Sequence, residues 1–300
     1  MSRRHLIMLA ALAALWGSSF MFIEIALRDL APSTLILLRM AFGALTLAVY
    51  VALARKPVRA LRPYVLPLAL LGAVNTSVPF FLIAWGQQYI DSGLASIFNA
   101  SAPLFTALFA LGYDRSQRAT GMRLAGIVIG FSGVVLLVGF ELSGGERAVL
   151  GGLAVVAASA CYGIGGLYAG RRFNGLPASL VALGGLAWST LFVAPVGLAQ
   201  ASTPSWDAVI AVLYLGVAAT GVAYLLYFGL IAGAGASKAV LVTYLVPALA
   251  LAYGAVFLEE QITLASLAGL VLVLAGVALG TGAVGRTRRS RRASAASLTP

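Results

Sequence analysis

Two ionisable side chains, Glu24 and Arg39, lie well inside long apolar runs of this chain. A charge at membrane depth is costly, so such residues face a cavity, find a partner or take part in transport. At 1.5 Å rise per residue, Glu24 sits about 12 Å from the middle of its helix and Arg39 about 6 Å from the middle of the next, on the same side. The two helices run antiparallel through a short turn and can bring the pair together. Two chemistries are open to them: a static ion pair that fixes helix packing, or a coupling or gating pair with a proton as the coupling ion.

Uncharged polar residues cluster at similar depth. Trp16, Phe20 and Glu24 recur every four residues and so share one helix face, with Ser18 and Ser19 beside them. Asn75-Thr76-Ser77 precedes Pro79, Asn99 and Ser101 precede Pro103, and Thr243-Tyr244 precedes Pro247. Proline removes a backbone donor and frees a carbonyl, which spanning helices tolerate where it lines a cavity. Tyr162, Tyr224 and Tyr227 add aromatic walls. The candidate substrate-binding set is therefore Trp16, Ser19, Asn75, Asn99, Tyr162, Tyr224 and Tyr244, with helix breaks at Pro79, Pro103 and Pro247. The competing role of each polar residue is hydrogen bonding between helices. Aromatic and amide lining suits an amino acid or similar zwitterion better than a strongly charged ion.

Catalytic chemistry finds no residues to carry it. One cysteine (Cys161, read as a packing residue) and one histidine (His5, in the N-terminal tail) leave no His/Cys metal set and no triad. No phosphate-binding glycine loop occurs. The reading is not an enzyme, with no metal and no cofactor.

The elements that position these groups are apolar helices. Hydrophobic residues make up 61% of the 300 and charged ones 10%, with mean hydropathy +0.99. Soluble domains carry about 25% charged residues, so the solvent of this chain is lipid. Ten stretches approach the roughly 20 residues that span a bilayer: 6–27, 31–54, 64–86, 93–112, 121–140, 149–170, 176–199, 206–230, 236–258 and 264–283. The first outruns a secretory signal and is read as a retained helix. No alternation of the kind a membrane β-barrel requires is present.

The chain is also written twice. Pro32 recurs as Pro177, Gly72 as Gly216, Pro103 as Pro247, Gly126 as Gly269 and Gly133 as Gly276, at offsets of 143 to 145. Five crossings per copy is odd, so the second copy enters from the opposite side, as in alternating-access transporters with a site at the midplane. The fold class is all-α integral membrane, ten helices as two inverted five-helix repeats, residues 1–145 and 146–285, followed by a disordered basic tail, 286–300. Glu24 and Arg39 have no charged counterparts in the second copy.

Loop charges orient the bundle. Seventeen of the 20 basic residues fall in the even-numbered connections and the tails, while the odd-numbered connections hold Arg28 and Arg147 beside seven acids. The positive-inside rule then places both termini in the cytoplasm of a bacterial-type inner membrane. This accounts for the net charge of +11 through topology and anionic lipid rather than nucleic acid. Gly126 and Gly130 with Gly133, and Gly276 and Gly280 after Gly269, are close-packing patterns. They suit a contact between helices five and ten or a seam between copies, so the chain is a monomer or a homodimer.

The run Trp16-Gly17-Ser18-Ser19-Phe20, Arg39 early in the second helix, and Gln88-Tyr89 leading into Ser101-Ala102-Pro103-Leu104-Phe105 together resemble EamA-type members of the drug/metabolite transporter superfamily. So does Val242-Thr243-Tyr244-Leu245-Val246-Pro247, followed by Glu259 or Glu260 and then Gly269 and Gly276. The resemblance covers about residues 6 to 283. It implies ten helices, both termini inside, a central cavity lined mainly by helices 1, 3, 4, 6, 8 and 9, and export of amino acids or small metabolites. The chain departs from the pattern at Tyr113-Asp114-Arg115-Ser116, where relatives carry a Glu after a Gly, and at Tyr162-Gly163, which replaces a Trp-Gly. The resulting expectation is a transporter exporting a small metabolite such as an amino acid, with membrane lipids as surroundings. A lipid flippase and a non-transporting scaffold are the alternatives.

Overall fold

The computed structural model describes residues 1–113, 121–141 and 144–280. Asp114, Arg115, Ser116 and Arg118 and the basic tail lie outside the described residues. The helices are α1 (Arg3–Leu27), α2 (Pro32–Leu53), α3 (Val58–Gly86), α4 in two pieces (Ser92–Asn99 and Ala102–Tyr113), α5 (Met122–Glu141), α6 (Glu146–Arg172), α7 (Ala178–Ala199), α8 (Trp206–Ala234), α9 in two pieces (Ala236–Ala239 and Val242–Phe257) and α10 (Leu264–Gly280). Among the described residues there is no strand. Among the described residues, eight helical segments are long and apolar enough to cross a membrane, and Val242–Phe257 and Leu264–Gly280 are shorter apolar helices. The outer surface carries Leu45, Leu66, Val128, Val135, Leu191 and Val271 exposed, as a lipid-facing wall requires. The chain is an integral membrane protein.

Local signals set the helix ends. Ser2 caps α1 by accepting from the His5 N–H, Pro32 supplies the first residue of α2, and Ser205 accepts from the Ala208 N–H at the start of α8. α8 runs four residues beyond the expected end because nothing breaks it before Gly235, whose φ of 89° turns the chain straight into α9. α3 starts earlier than expected, with a 3₁₀ turn over Val58–Tyr64.

Two helices are wound differently from the rest. A π segment occupies Ala73–Ser77 in α3 and a longer one Tyr214–Val222 in α8. Thr76 and Thr220, separated by the 144-residue offset, both fall inside them. The first is followed by Pro79, which cannot donate to the ladder. In the second copy Ala223 stands at that position, so proline does not explain the α8 segment. A π turn adds one residue to the helix and re-aims the side chains after it.

Between helices in lipid, association rests on close packing and interhelical hydrogen bonds, since lipid is as apolar as the side chains. α5 lies along α10, α2 along α7, α1 against α9, and α6 against α3 and α4. The α5–α10 seam is where the small-residue patterns meet: a Cβ on Gly276 would collide with the Gly130 backbone, and one on Gly126 with Gly280. Those glycines thus serve a contact within the chain. Gly17 of α1 packs on Leu249 and the Val246 carbonyl, and Gly163 of α6 packs on Phe105 and the Thr106 amide. Gly72 of α3 meets Gly185 of α7, and Gly216 of α8 meets Phe42 and Arg39 of α2. Each of these contacts has a partner contact with the two halves exchanged.

Candidate functional site

A cavity of about 870 Å³ lies between the two halves at mid-depth. Trp16, Ser19, Phe20 and Ile23 of α1 form one wall, and Asn75, Thr76 and Phe80 of α3 another. Ser96, Asn99 and Pro103 of α4, Tyr162 of α6, Thr220, Tyr224 and Tyr227 of α8, and Thr243 and Pro247 of α9 complete it. α2 contributes Arg39, and α7 contributes Ala182 and Gly185. The lining continues past Leu111, Arg123, Phe173, Leu176, Val240 and Gly280, all near the helix ends on one face. This is the face where His5 lies over Gly233.

Irregular backbone shapes the cavity, and neighbouring helices satisfy it. α4 breaks at Ala100–Ser101. The carbonyls left there are taken by Ser101 Oγ, which donates to Phe98 O at 2.6 Å, and by Ser159 Oγ of α6, at 3.2 Å from Phe98 O and 3.3 Å from Asn99 O. Ser77 Oγ lies 3.1 Å from Gly72 O and 2.8 Å from Ser189 Oγ of α7, which ties down the π segment of α3. Asn75 fits because Gly165 of α6 leaves room for its amide. Trp16 packs on Tyr227 with ring centroids 5.3 Å apart, and Phe80 meets Tyr162 edge-on at 6.2 Å.

Of the sequence-derived set, Trp16, Ser19, Asn75, Asn99, Tyr162 and Tyr224 all line this cavity. Tyr244 does not; it packs against the main apolar core, and its neighbour Thr243 faces the cavity instead. The chain turns at Val240–Leu241, ahead of the Pro247 position, and helical geometry separates adjacent residues by about 100°. Pro103 and Pro247 line the cavity and Pro79 does not.

Glu24 and Arg39 do not pair. Arg39 is 6% exposed, donates from Nε to Thr220 Oγ1 at 3.1 Å and holds its guanidinium carbon 4.5 Å over the Phe80 ring. Glu24 is not part of the cavity lining. Its electrostatic neighbours are Glu260, Arg28 and Asp91, and its Oε2 is buried with no hydrogen-bond partner among the described residues.

That far end of the bundle is closed by contacts between the halves. Glu260 accepts from the Ser92 N–H at 2.8 Å and from the Gly93 N–H at 3.0 Å, capping the first turn of α4. A carboxylate at a helix N-terminus meets both free donors and the positive end of the dipole. Gly254 and Gly93 make space for it, since a Cβ on Gly254 would run into the Glu260 carboxylate. Of the two candidate acids, Glu260 therefore makes the contact, and Glu259 takes the left-handed turn before it with φ 60°. Within the first half Gln87 Nε2 donates to Phe20 O at 2.9 Å, and between the halves Ser18 Oγ lies 2.6 Å from the Tyr214 hydroxyl. On the loops, Ser205 N–H donates to Asp29 Oδ2 at 3.0 Å and Ser202 Oγ to Asp29 O at 2.9 Å. These bonds from Ser205 hold the Asp29 carboxyl below the usual carboxylate range. Desolvation, then Glu260, pushes the Asp91 carboxyl up. Among the described residues no group of His, Cys, Asp and Glu is arranged to hold a metal ion.

Sequence reasoning missed Arg39 as a cavity residue, Thr220 as its partner and the π segment that carries Thr220. Only the offset from Thr76 could have flagged Thr220.

Comparison with known proteins agrees with this architecture. The chain is 28% identical over 277 residues to the probable terminal-alkyne amino-acid exporter of Streptantibioticus cattleyicolor, covering 88% of this chain and 89% of that one. It is 28% identical over 312 residues to the probable amino-acid metabolite efflux pump of Salmonella typhimurium, covering 98% of this chain and all of that one. A solved crystal structure superposes with a TM-score of 0.67 at 21% identity, over 93% of this chain and 98% of that chain, and so shares the fold. The pattern of the EamA-like transporter family matches twice, at residues 4–139 and 149–281. The chain belongs to the EamA-like transporter family.

Proposed function

We propose that this protein exports a small metabolite of the amino-acid class by alternating access around the cavity between α1, α3, α4, α6, α8 and α9. The observation that carries the reading is the cavity itself: about 870 Å³, walled by both halves at mid-depth, reaching one face and stopped by hydrogen bonds at the other. That is what a transporter at rest in one of its two access states requires. Ten crossings, arranged as inverted repeats over residues 1–145 and 146–285, are supported by the exchanged contacts of Gly17 and Gly163 and of Gly72 and Gly216. With both termini in the cytoplasm, as the loop charges favour, the cavity is reached from inside and the Glu260–Ser92 contact closes the outside. Trp16, Ser19, Asn75, Asn99, Tyr162 and Tyr224 are the substrate-contacting residues of this reading. Glu24, whose carboxylate lies in the closed outer part, is its proton-coupling candidate. The name of the Salmonella relative, a probable amino-acid metabolite efflux pump, supports the outward direction.

The test is growth of cells overproducing the protein on a panel of toxic amino-acid analogues, with external amino acids assayed in parallel. Resistance to at least one analogue, with matching accumulation in the medium, is expected. No resistance and no accumulation, with the protein present in the membrane, contradicts the reading.

A further inference from the structure

The cavity wall carries two cations, Arg39 and Arg123, and among its described residues no acid. Arg123 stands near the mouth and Arg39 at mid-depth. A passage lined with one sign of charge and low-dielectric walls draws in the opposite sign. Arg39 is the more constrained of the two. Its Nε is spent on Thr220 Oγ1, and its guanidinium carbon lies over the Phe80 ring. A guanidinium has five N–H donors, and the described residues supply a hydrogen-bond acceptor to one of them. Burying an ion without a counter-charge is costly. Glu24, the other ionisable residue expected well inside the spans, lies instead near Glu260, Asp91 and Arg28 and is not part of the cavity lining. Tyr162 and Tyr224 line the same cavity and bring hydroxyls, not charge, to it.

We infer that Arg39 is the carboxylate anchor of the transport site, so that the substrate presents a carboxylate to the Arg39 guanidinium and an apolar or aromatic body to Trp16, Phe80 and Tyr227. The inference rests on the transport reading above and narrows its substrate class. Sequence alone favoured a zwitterion for want of balancing charge in the cavity; Arg39 supplies positive charge there and no carboxylate supplies negative. The carboxylate end of a zwitterion is then the end recognised by charge, and its ammonium meets only amide and hydroxyl oxygens. Thr220 and Phe80 hold the guanidinium in place, leaving its outer nitrogens for the two-pronged geometry that arginine gives to carboxylates.

The experiment is calorimetric titration of the purified full-length protein in detergent with four probes: 3-phenylpropionate, phenylalanine, phenylalaninamide and phenethylamine. The two carboxylates are expected to bind about tenfold or more tightly than the two probes without one, the discrimination typical of a hydrogen bond to a charged group. In Arg39→Met that ratio falls to near one. If the amide and amine bind wild-type protein as tightly as the acids, the anchor is overturned, while export in the resistance assay would still stand. If Arg39→Met keeps the ratio, another group does the recognising and the inference is likewise overturned. The wild-type comparison decides the matter even if the variant does not fold. Binding by none of the four probes overturns the anchor and its aromatic pocket, and the resistance assay then tests transport separately.

Discussion

Replacing Glu260 by Gln should loosen the closed end of the bundle. The carboxylate accepts from two backbone N–H groups, at 2.8 Å and 3.0 Å, on the first turn of α4. Glutamine keeps one acceptor oxygen, neutral, and offers an amide N–H where the second N–H needs an acceptor. The loss is therefore about one charge-assisted hydrogen bond plus the interaction with the helix dipole. Opening exposes both N–H groups to water, which offsets part of this, so the closed state should weaken by about 1–2 kcal/mol, a five- to thirtyfold shift toward opening. The readout is a cysteine at Ser96, which lines the cavity and is 1% exposed, in a background carrying Cys161→Ala. A membrane-impermeant maleimide applied from outside intact cells should label Ser96→Cys several times faster with Glu260→Gln than without it. Equal labelling rates would show that the Glu260 contact does not hold the outer end shut, and the gating argument built on it would fall.

The α5–α10 seam makes a stability prediction. Gly276→Ala should destabilise by about 1–3 kcal/mol, because the new methyl meets the Gly130 backbone, which cannot swing aside as a side chain would. Gly139→Ala on the same α5 meets nothing within 4 Å and should leave thermal unfolding in detergent unchanged or slightly improved. The two carboxyls at the closed end should respond to pH in opposite senses. Asp29 is held below its usual range by Ser205, so its contribution is present above the unfolded-state value, about pH 4, and is lost as pH falls through the folded-state value. Asp29→Asn should lower the melting temperature at neutral pH and lose that effect in acid. Asp91 is pushed up by desolvation and by Glu260, so its ionised form opposes folding above the raised value and the cost is relieved as pH falls through it. Asp91→Asn should therefore raise the melting temperature at neutral pH and not in acid.

The sequence reveals the depth of a residue in the membrane better than the direction it faces. Hydropathy and loop charge put Trp16, Asn75, Asn99, Tyr162 and Tyr224 at similar depth, and they do meet around one cavity. Rise per residue likewise gave Glu24 and Arg39 compatible depths. Their actual neighbours are set by partners far off in the chain, Thr220 and Phe80 for Arg39 and the Glu260 region for Glu24, and the pair inferred from depth does not form. Tyr244 fails in the same way, since a turn three residues earlier in α9 brings Thr243 to the cavity. The π segment of α8 has no proline to announce it. Breaks marked by chemistry were easier to foresee: the chain gives way between Asn99 and Pro103, where Ser101 and Ser159 take up the freed carbonyls.

The most direct measurement is counterflow of radiolabelled amino acids into proteoliposomes containing the purified protein. Uptake above that of empty liposomes is expected for at least one amino acid, strongly reduced by replacing the cavity residues Trp16 or Tyr224 with Ala and little affected by Tyr244→Phe. Uptake no faster than in empty liposomes across the amino acids, or uptake indifferent to Trp16 and Tyr224, would contradict the assignment of this cavity as the transport site.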